Sequence, residues 1–175
     1  MAPNPLVVQF SPLLQDEGLE GPILDLACGR GENGLFLAGL NLPVTLADRS
    51  SEALKEARRS AEERGLHAQF WEVDLETGEN LLEKECYRAI LVFRYLHRPL
   101  IPHLREGIRK GGILIYETFT IEQPQYGKPH NPNFLLQPGE LAGWFRNWEV
   151  IHYFEGIFED PRRAMAQLVC RKPSA

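Results

Sequence analysis

Pro22-Ile23-Leu24-Asp25-Leu26-Ala27-Cys28-Gly29-Arg30-Gly31-Glu32-Asn33-Gly34-Leu35-Phe36-Leu37-Ala38 is the stretch that decides the fold. Its first six residues form a short apolar run of the length expected for a fully buried strand. Three glycines then follow at the spacing G-x-G-x-x-G, and Leu35 to Ala38 open a short helix that Gly39 or Asn41 ends. Glycine suits such a turn because the chain must reverse tightly and leave bare backbone for a ligand. The helix start adds free N–H groups and a positive dipole end, which fit a pyrophosphate or an amino-acid carboxylate equally well.

The rest of the chain repeats this strand-and-helix alternation, which argues for parallel βα units. Pro43–Asp48 reads as a second strand, Ala68–Val73 as a third, Tyr87–Phe93 as a fourth and Ile113–Phe119 as a fifth. Between the second and third, Ser50 or Ser51 caps a helix whose Leu54, Ala57 and Ala61 share one face, with Gly65 just past its end. Leu100, Ile101, Leu104 and Ile108 mark another helix, stopped by Gly111-Gly112. Beyond the fifth strand the pattern changes. Residues 120–138 are rich in Pro, Gln, Asn and Gly, and a loop of that length is usually functional. A short helix from about Gly139 to Phe145 follows. Trp148–Phe158 and Ala164–Arg171 then form an antiparallel hairpin through Glu159-Asp160-Pro161-Arg162.

At 175 residues, one domain over 1–175 is expected. The formal net charge of −5 argues against a nucleic-acid binder, whose affinity rests on neutralising phosphates. Cys28, Cys86 and Cys170 are odd in number and widely spaced, so neither a disulfide framework nor a CxxC metal site is expected. Met1-Ala2-Pro3-Asn4-Pro5 lacks the basic start and apolar run of a signal peptide. No apolar run approaches the roughly 20 residues that span a bilayer. These features predict a cytoplasmic protein that binds neither membrane nor nucleic acid and is a monomer or small homo-oligomer. His67, His103 and His152 are scattered, and no metal site is expected.

Three aspartates narrow the ligand. Asp48 ends the second strand and can accept both hydroxyls of an adenosine ribose, which NAD and S-adenosylmethionine (SAM) share. Asp74 ends the third; it can accept from the adenine amino group while Leu75 packs on the ring. Asp25 lies inside the first strand, where an unpaired carboxylate is costly, so it favours a ligand with a cationic group. Each aspartate can instead cap a helix or satisfy a turn. All three stand at the strand edge where open α/β sheets bind ligands. Asp48 is expected to face an open cleft, so that its loss affects binding far more than stability.

Asp25-Leu26-Ala27-Cys28-Gly29-Arg30-Gly31-Glu32-Asn33 resembles the first motif of the class I SAM-dependent methyltransferases. The resemblance continues through Ala47-Asp48-Arg49, Val73-Asp74-Leu75, Lys110-Gly111-Gly112 and the terminal hairpin. Phe134 to Leu141, Trp148-Glu149 and Tyr153 are similar to the small tellurite-resistance (TehB-like) bacterial group. It implies a Rossmann-like α/β fold with helices on both faces of a seven-stranded sheet in the order 3-2-1-4-5-7-6, strand 7 antiparallel. It also implies that SAM is the cofactor. Gly29 and Gly31 would pass under its methionine part, Asp48 would bind the ribose, Asp74 and Leu75 the adenine, and Phe93 and Arg94 would flank the sulfonium. Asp25, Ala27, Asn33 and Arg49 complete the expected cofactor set. The family usually carries glycine where this chain has Ala27; alanine is small, and no loss of binding is expected there.

On the acceptor side, Phe93-Arg94-Tyr95-Leu96-His97-Arg98-Pro99 follows the fourth strand. Arg94, Tyr95 and His97 are the candidate catalytic residues: His97 as a base, and Arg94 or Arg98 as a bidentate holder of an anion. His97 and Arg98 can equally begin a surface helix. Arg94 to Arg98 and residues 118–136 should together wall the pocket in front of the methyl group, with Tyr126, Lys128, His130 and Asn131 as lid groups and Gly127 as hinge. The expected activity is in-line methyl transfer to a small anionic or polar molecule. Two other readings remain open: a non-catalytic SAM-binding regulatory module, and an NAD-dependent oxidoreductase, which would normally need a further catalytic domain.

Overall fold

The computed structural model describes residues 2–175. Seven strands form one sheet: β1 (Ile23–Leu26), β2 (Val44–Asp48), β3 (Gln69–Glu72), β4 (Tyr87–Phe93), β5 (Ile108–Phe119), β6 (Glu149–Phe158) and β7 (Arg163–Arg171). Their order across the sheet is β3-β2-β1-β4-β5-β7-β6. β7 runs antiparallel to both neighbours, and all pairings from β3 to β5 are parallel. The implied topology is therefore the one observed.

Successive residues of the inner strands point to opposite faces. Leu24, Leu26, Ile90, Val92, Leu114, Tyr116 and Leu168 enter one apolar cluster, whereas Ile23, Leu46, Leu91, Ile113, Ile115 and Val169 enter another. The first is covered by α4 (Ile101–Gly107) and α5 (Glu140–Trp144), through Leu104 and Leu141. The second lies beneath α1 (Pro5–Leu14), α2 (Glu32–Ala38) and α3 (Ser51–Glu63). Helices on both faces explain why these strands are apolar throughout rather than alternating.

The Ser50 side chain caps α3 by accepting from Ala53 N–H at 3.1 Å, and Leu54, Ala57 and Ala61 form its buried stripe. α1 has no counterpart in the sequence reading. Its buried Leu6, Val7 and Leu14, at about 1.5–3 kcal/mol each, anchor it to the sheet. Two further boundaries differ. α4 ends at Gly107, and β5 begins at Ile108, five residues earlier than expected. The register of β5 against β4 shifts between Tyr87 and Ala89, which lets the strand absorb Gly111-Gly112.

The long segment after β5 is anchored at both ends. Thr120 and Leu136 form an isolated bridge, Ile121 N–H donates to Leu136 O and Leu136 N–H to Phe119 O. Inside it lie two 3₁₀ turns, Gln123–Gln125 and Pro132–Phe134. The buried Gln123 side chain accepts from Ala164 N–H and donates to Lys128 O.

Candidate functional site: a cleft over the strand ends

A cleft of about 690 Å³ runs along the C-terminal ends of the parallel strands. Ala27 after β1, Asp48 and Arg49 after β2, and Asp74, Leu75 and Glu76 after β3 line one end. Arg94, Tyr95 and Leu96 after β4, Thr118 and Phe119 at the end of β5, and Lys128, Pro129 and Phe134 line the other. Its volume lies within the roughly 300–1,000 Å³ range of ligand pockets. Among the candidate residues, the structure thus brings together Ala27, Asp48, Arg49, Asp74, Leu75, Arg94 and Tyr95.

The glycine turn is built around two carboxylates. Asp48 Oδ2 accepts from Gly29 N–H at 2.8 Å, and its Oδ1 accepts from Ser50 N–H at 2.8 Å. Asp48 therefore shapes the turn besides facing the cleft, contrary to the expectation of a carboxylate idle in the fold. Asp25 lies beneath the turn and does not line the cleft; its Oδ2 accepts from Gly34 N–H at 2.8 Å. Gly29 and Gly31 both have positive φ, +57° and +79°. Their surroundings differ sharply. A Cβ on Gly29 would meet nothing within 4 Å, whereas one on Gly31 would overlap Leu46 Cδ2. Gly31 is thus required by packing inside the protein, and only Gly29 offers open backbone. Ala27 also sits in the left-handed region, at φ +52°. Glycine adopts that conformation freely, while alanine carries about 1–2 kcal/mol of strain; small size alone does not make the two equivalent.

Burial raises the Asp25 carboxyl to about 7, against the pull of the Gly34 hydrogen bond; Glu32 and Asp48 add smaller repulsions. Between the ordinary carboxylate value and 7 the folded state therefore holds a proton that the unfolded state has lost. Asp25 thus lowers stability progressively as pH rises from about 4 to about 7. Thermal unfolding of the ligand-free protein and of Asp25→Asn across this range is the check. The asparagine variant should gain on the parent as pH rises; a constant difference would mean that Asp25 does not titrate there.

Three other candidates stand outside the cleft. Asn33 Oδ1 accepts from Asn4 N–H at 2.7 Å, and Asn4 Nδ2 donates to Glu117 Oε2 at 2.7 Å, fastening the start of α1 between α2 and β5. Phe93 packs into the cluster beneath the α1–α3 face. His97 is turned into a smaller neighbouring hollow, its Nδ1 3.2 Å from Glu76 Oε1. Tyr95 lines the cleft, but its phenol is pushed up to about 12, first by burial and then by Glu76 and Asp74. A phenol held that high keeps its proton and cannot serve as a base near neutral pH.

Arg98, a candidate anion holder, instead secures the fold. It bonds Glu140 through two nitrogens, at 2.7 and 2.9 Å, and donates to Leu135 O and Asn133 O. Of the candidate lid groups only Lys128 reaches the cleft; Asn131 caps the turn at Pro132–Phe134. Leu96 and Phe119 line the cleft from the two segments expected to wall it, whereas Glu76, two residues past Asp74, is a lining residue that the sequence reading did not name. Among the described residues no group of three His, Cys, Asp or Glu side chains comes together as a metal centre would need. Nor, among the described residues, is any helix long and apolar enough to cross a membrane.

Comparison with known proteins agrees with this architecture. The probable S-adenosyl-L-methionine-dependent methyltransferase TehB of Haemophilus influenzae is 25% identical over 142 residues, 78% of this chain. The match covers 49% of TehB, so the chain spans about half the length of that relative. The crystal structure of H. influenzae TehB superposes with a TM-score of 0.79 at 22% identity, over 95% of this chain and 61% of that one. A SAM-dependent methyltransferase from Methanosarcina mazei matches along the whole of both chains, with a TM-score of 0.73 at 16% identity. The profile of a methyltransferase domain matches residues 23–112, beginning at β1, spanning the glycine turn and both cleft aspartates, and ending within β5. The chain belongs to this methyltransferase domain family, and within it is similar to TehB.

Proposed function

We propose that the protein is a SAM-dependent methyltransferase, one domain over 1–175, acting by in-line transfer on a small anionic or polar molecule. The observation that carries this reading is the cleft itself. Aspartates after β2 and β3 stand at one end of it, Asp48 also holding the Gly29 N–H, with a basic wall over β4 and β5 at the other. The residues present suit SAM. Asp48 keeps free lone pairs for ribose hydroxyls despite its two backbone bonds. Asp74, with one bond to Glu76 N–H, can accept from adenine, and Leu75 offers an apolar face. A cationic amino group held near the turn would favour the ionised form of Asp25 beneath it. When bound, SAM supplies an already activated methyl group. The protein's own part is then to hold the acceptor in line and keep water out.

Calorimetry with S-adenosylhomocysteine and with NAD tests the reading. S-adenosylhomocysteine should bind and NAD should not. Binding of NAD alone would replace the methyltransferase with an oxidoreductase reading. Tight SAM binding with no transfer to any small thiol, amine, carboxylate or metalloid anion would favour the regulatory module.

A further inference from the structure

The two ends of the cleft carry opposite charge. Over β2 and β3 stand Asp48, Asp74 and Glu76, and the Arg49 guanidinium there lies 3.5 Å from Glu76. Over β4 and β5, about 14 Å away at three strand spacings, stand Arg94 and Lys128, with no acidic side chain among the lining residues. Among the described residues neither of these two side chains has a carboxylate partner or a hydrogen bond. The neighbouring cations Arg49 and Arg98, by contrast, are paired. Around Arg94 and Lys128 the wall is largely apolar, formed by Leu96, Phe119, Pro129 and the half-exposed Phe134, with Thr118 beside them. The Arg94 guanidinium lies 5.6 Å from the centre of the Phe119 ring, within cation–π range, and its N–H groups have no other partner among the described residues.

This end of the cleft also lacks a general base. His97 lies against Glu76 in the neighbouring hollow, and burial, with Glu76 and Asp74 nearby, pushes the Tyr95 phenol up to about 12. An acceptor that must lose a proton would find no group there to take it.

Resting on the methyltransferase reading above, we propose that the acceptor is an aromatic carboxylate. Its ring would lie against Phe119 and Phe134, and its charge between Arg94 and Lys128. The acceptor enters already ionised. A carboxylate oxygen forms the new O–C bond as the S–C bond of the donor breaks, and the electron pair of that bond goes to sulfur. The products are a neutral methyl ester and neutral S-adenosylhomocysteine; no proton moves. Two phenylalanines argue for a flat carbon body, since an inorganic oxyanion gains nothing from aromatic faces.

The test uses protein saturated with S-adenosylhomocysteine, titrated by calorimetry with benzoate, benzamide, acetate and inorganic phosphate. Benzoate should bind at least tenfold tighter than each of the others. Lys128→Gln and Phe134→Ala, both at exposed positions, should each weaken benzoate about fivefold or more while S-adenosylhomocysteine affinity stays within threefold. Methyl benzoate formation from SAM should be independent of pH between 6 and 9. Benzamide or phosphate matching benzoate overturns the proposal, as do variants that leave benzoate binding unchanged or a rate that climbs tenfold across that range. Failure of S-adenosylhomocysteine itself to bind overturns the underlying methyltransferase reading instead, and is seen before any acceptor is added.

Discussion

Gly31→Ala is expected to destabilise the ligand-free protein by about 2–5 kcal/mol, the sum of left-handed backbone strain and overpacking in a tight core. The strain follows from φ +79° at this position. The overpacking follows from Leu46, a fully buried side chain whose Cδ2 occupies the space a new methyl group would need, with Ala57 Cβ at 3.3 Å on the other side. In thermal unfolding this corresponds to a fall of roughly 4–20 °C in Tm for a chain of this size. Gly29→Ala is the matched control. It shares the left-handed backbone, φ +57°, but has open space where the methyl group would go. Only the strain of about 1–2 kcal/mol applies to it, yet its methyl group would stand where the proposed cofactor approaches. SAM affinity should fall more than stability at Gly29 and the reverse should hold at Gly31. Equal stability losses at the two positions would contradict the packing account.

Asp48→Ala should weaken SAM binding by about 1–3 kcal/mol, or roughly 5- to 150-fold, the usual range for removing a charged hydrogen-bond partner. The structure adds a second effect. The same carboxylate accepts from Gly29 N–H and Ser50 N–H, so its removal leaves both donors without their partner. A loss of about 1–2 kcal/mol in unfolding stability should accompany the loss of affinity, at roughly 1 kcal/mol per bond. Asp48→Asn retains one oxygen acceptor and should restore part of the stability but less of the binding. Calorimetry and denaturant unfolding on the same samples separate the two. Full binding by the alanine variant would remove Asp48 from the proposed ribose site.

The central strands were legible because each is an unbroken apolar run, and burial on both faces leaves no other pattern for them. α3 was legible from its cap at Ser50 and its stripe of Leu54, Ala57 and Ala61. α1 was not. It is apolar on several sides, has no acidic residue in its first turn and carries Pro12 inside it, so periodicity did not mark it, and only Asn4 before Pro5 signalled a helix start. Its N-cap residue, Asn4, is fixed by Asn33 and Glu117, which lie 29 and 113 residues away in sequence. The cleft aspartates were legible as strand-end residues. The direction in which a side chain leaves a loop is not written in local sequence. His97 and Arg98 are adjacent to Tyr95 and Leu96, yet distant partners, Glu76 and Glu140, decide where they point.

The bridge between Thr120 and Leu136 has an evolutionary consequence. The segment between them leaves the sheet and returns to it at neighbouring positions, so that, apart from Gln123, which accepts from Ala164 N–H of β7, its side chains can be rewritten without moving β5 or β7. Doubling the length of such a loop adds only about 0.6 kcal/mol of closure entropy. Lys128, Pro129 and Phe134 all lie in this interchangeable stretch, whereas Asp48 and Asp74 belong to the rigid scaffold. Selection can therefore exchange what the cleft accepts as a cassette while the donor half stays fixed. The loop is accordingly the natural place to graft a new specificity onto this fold.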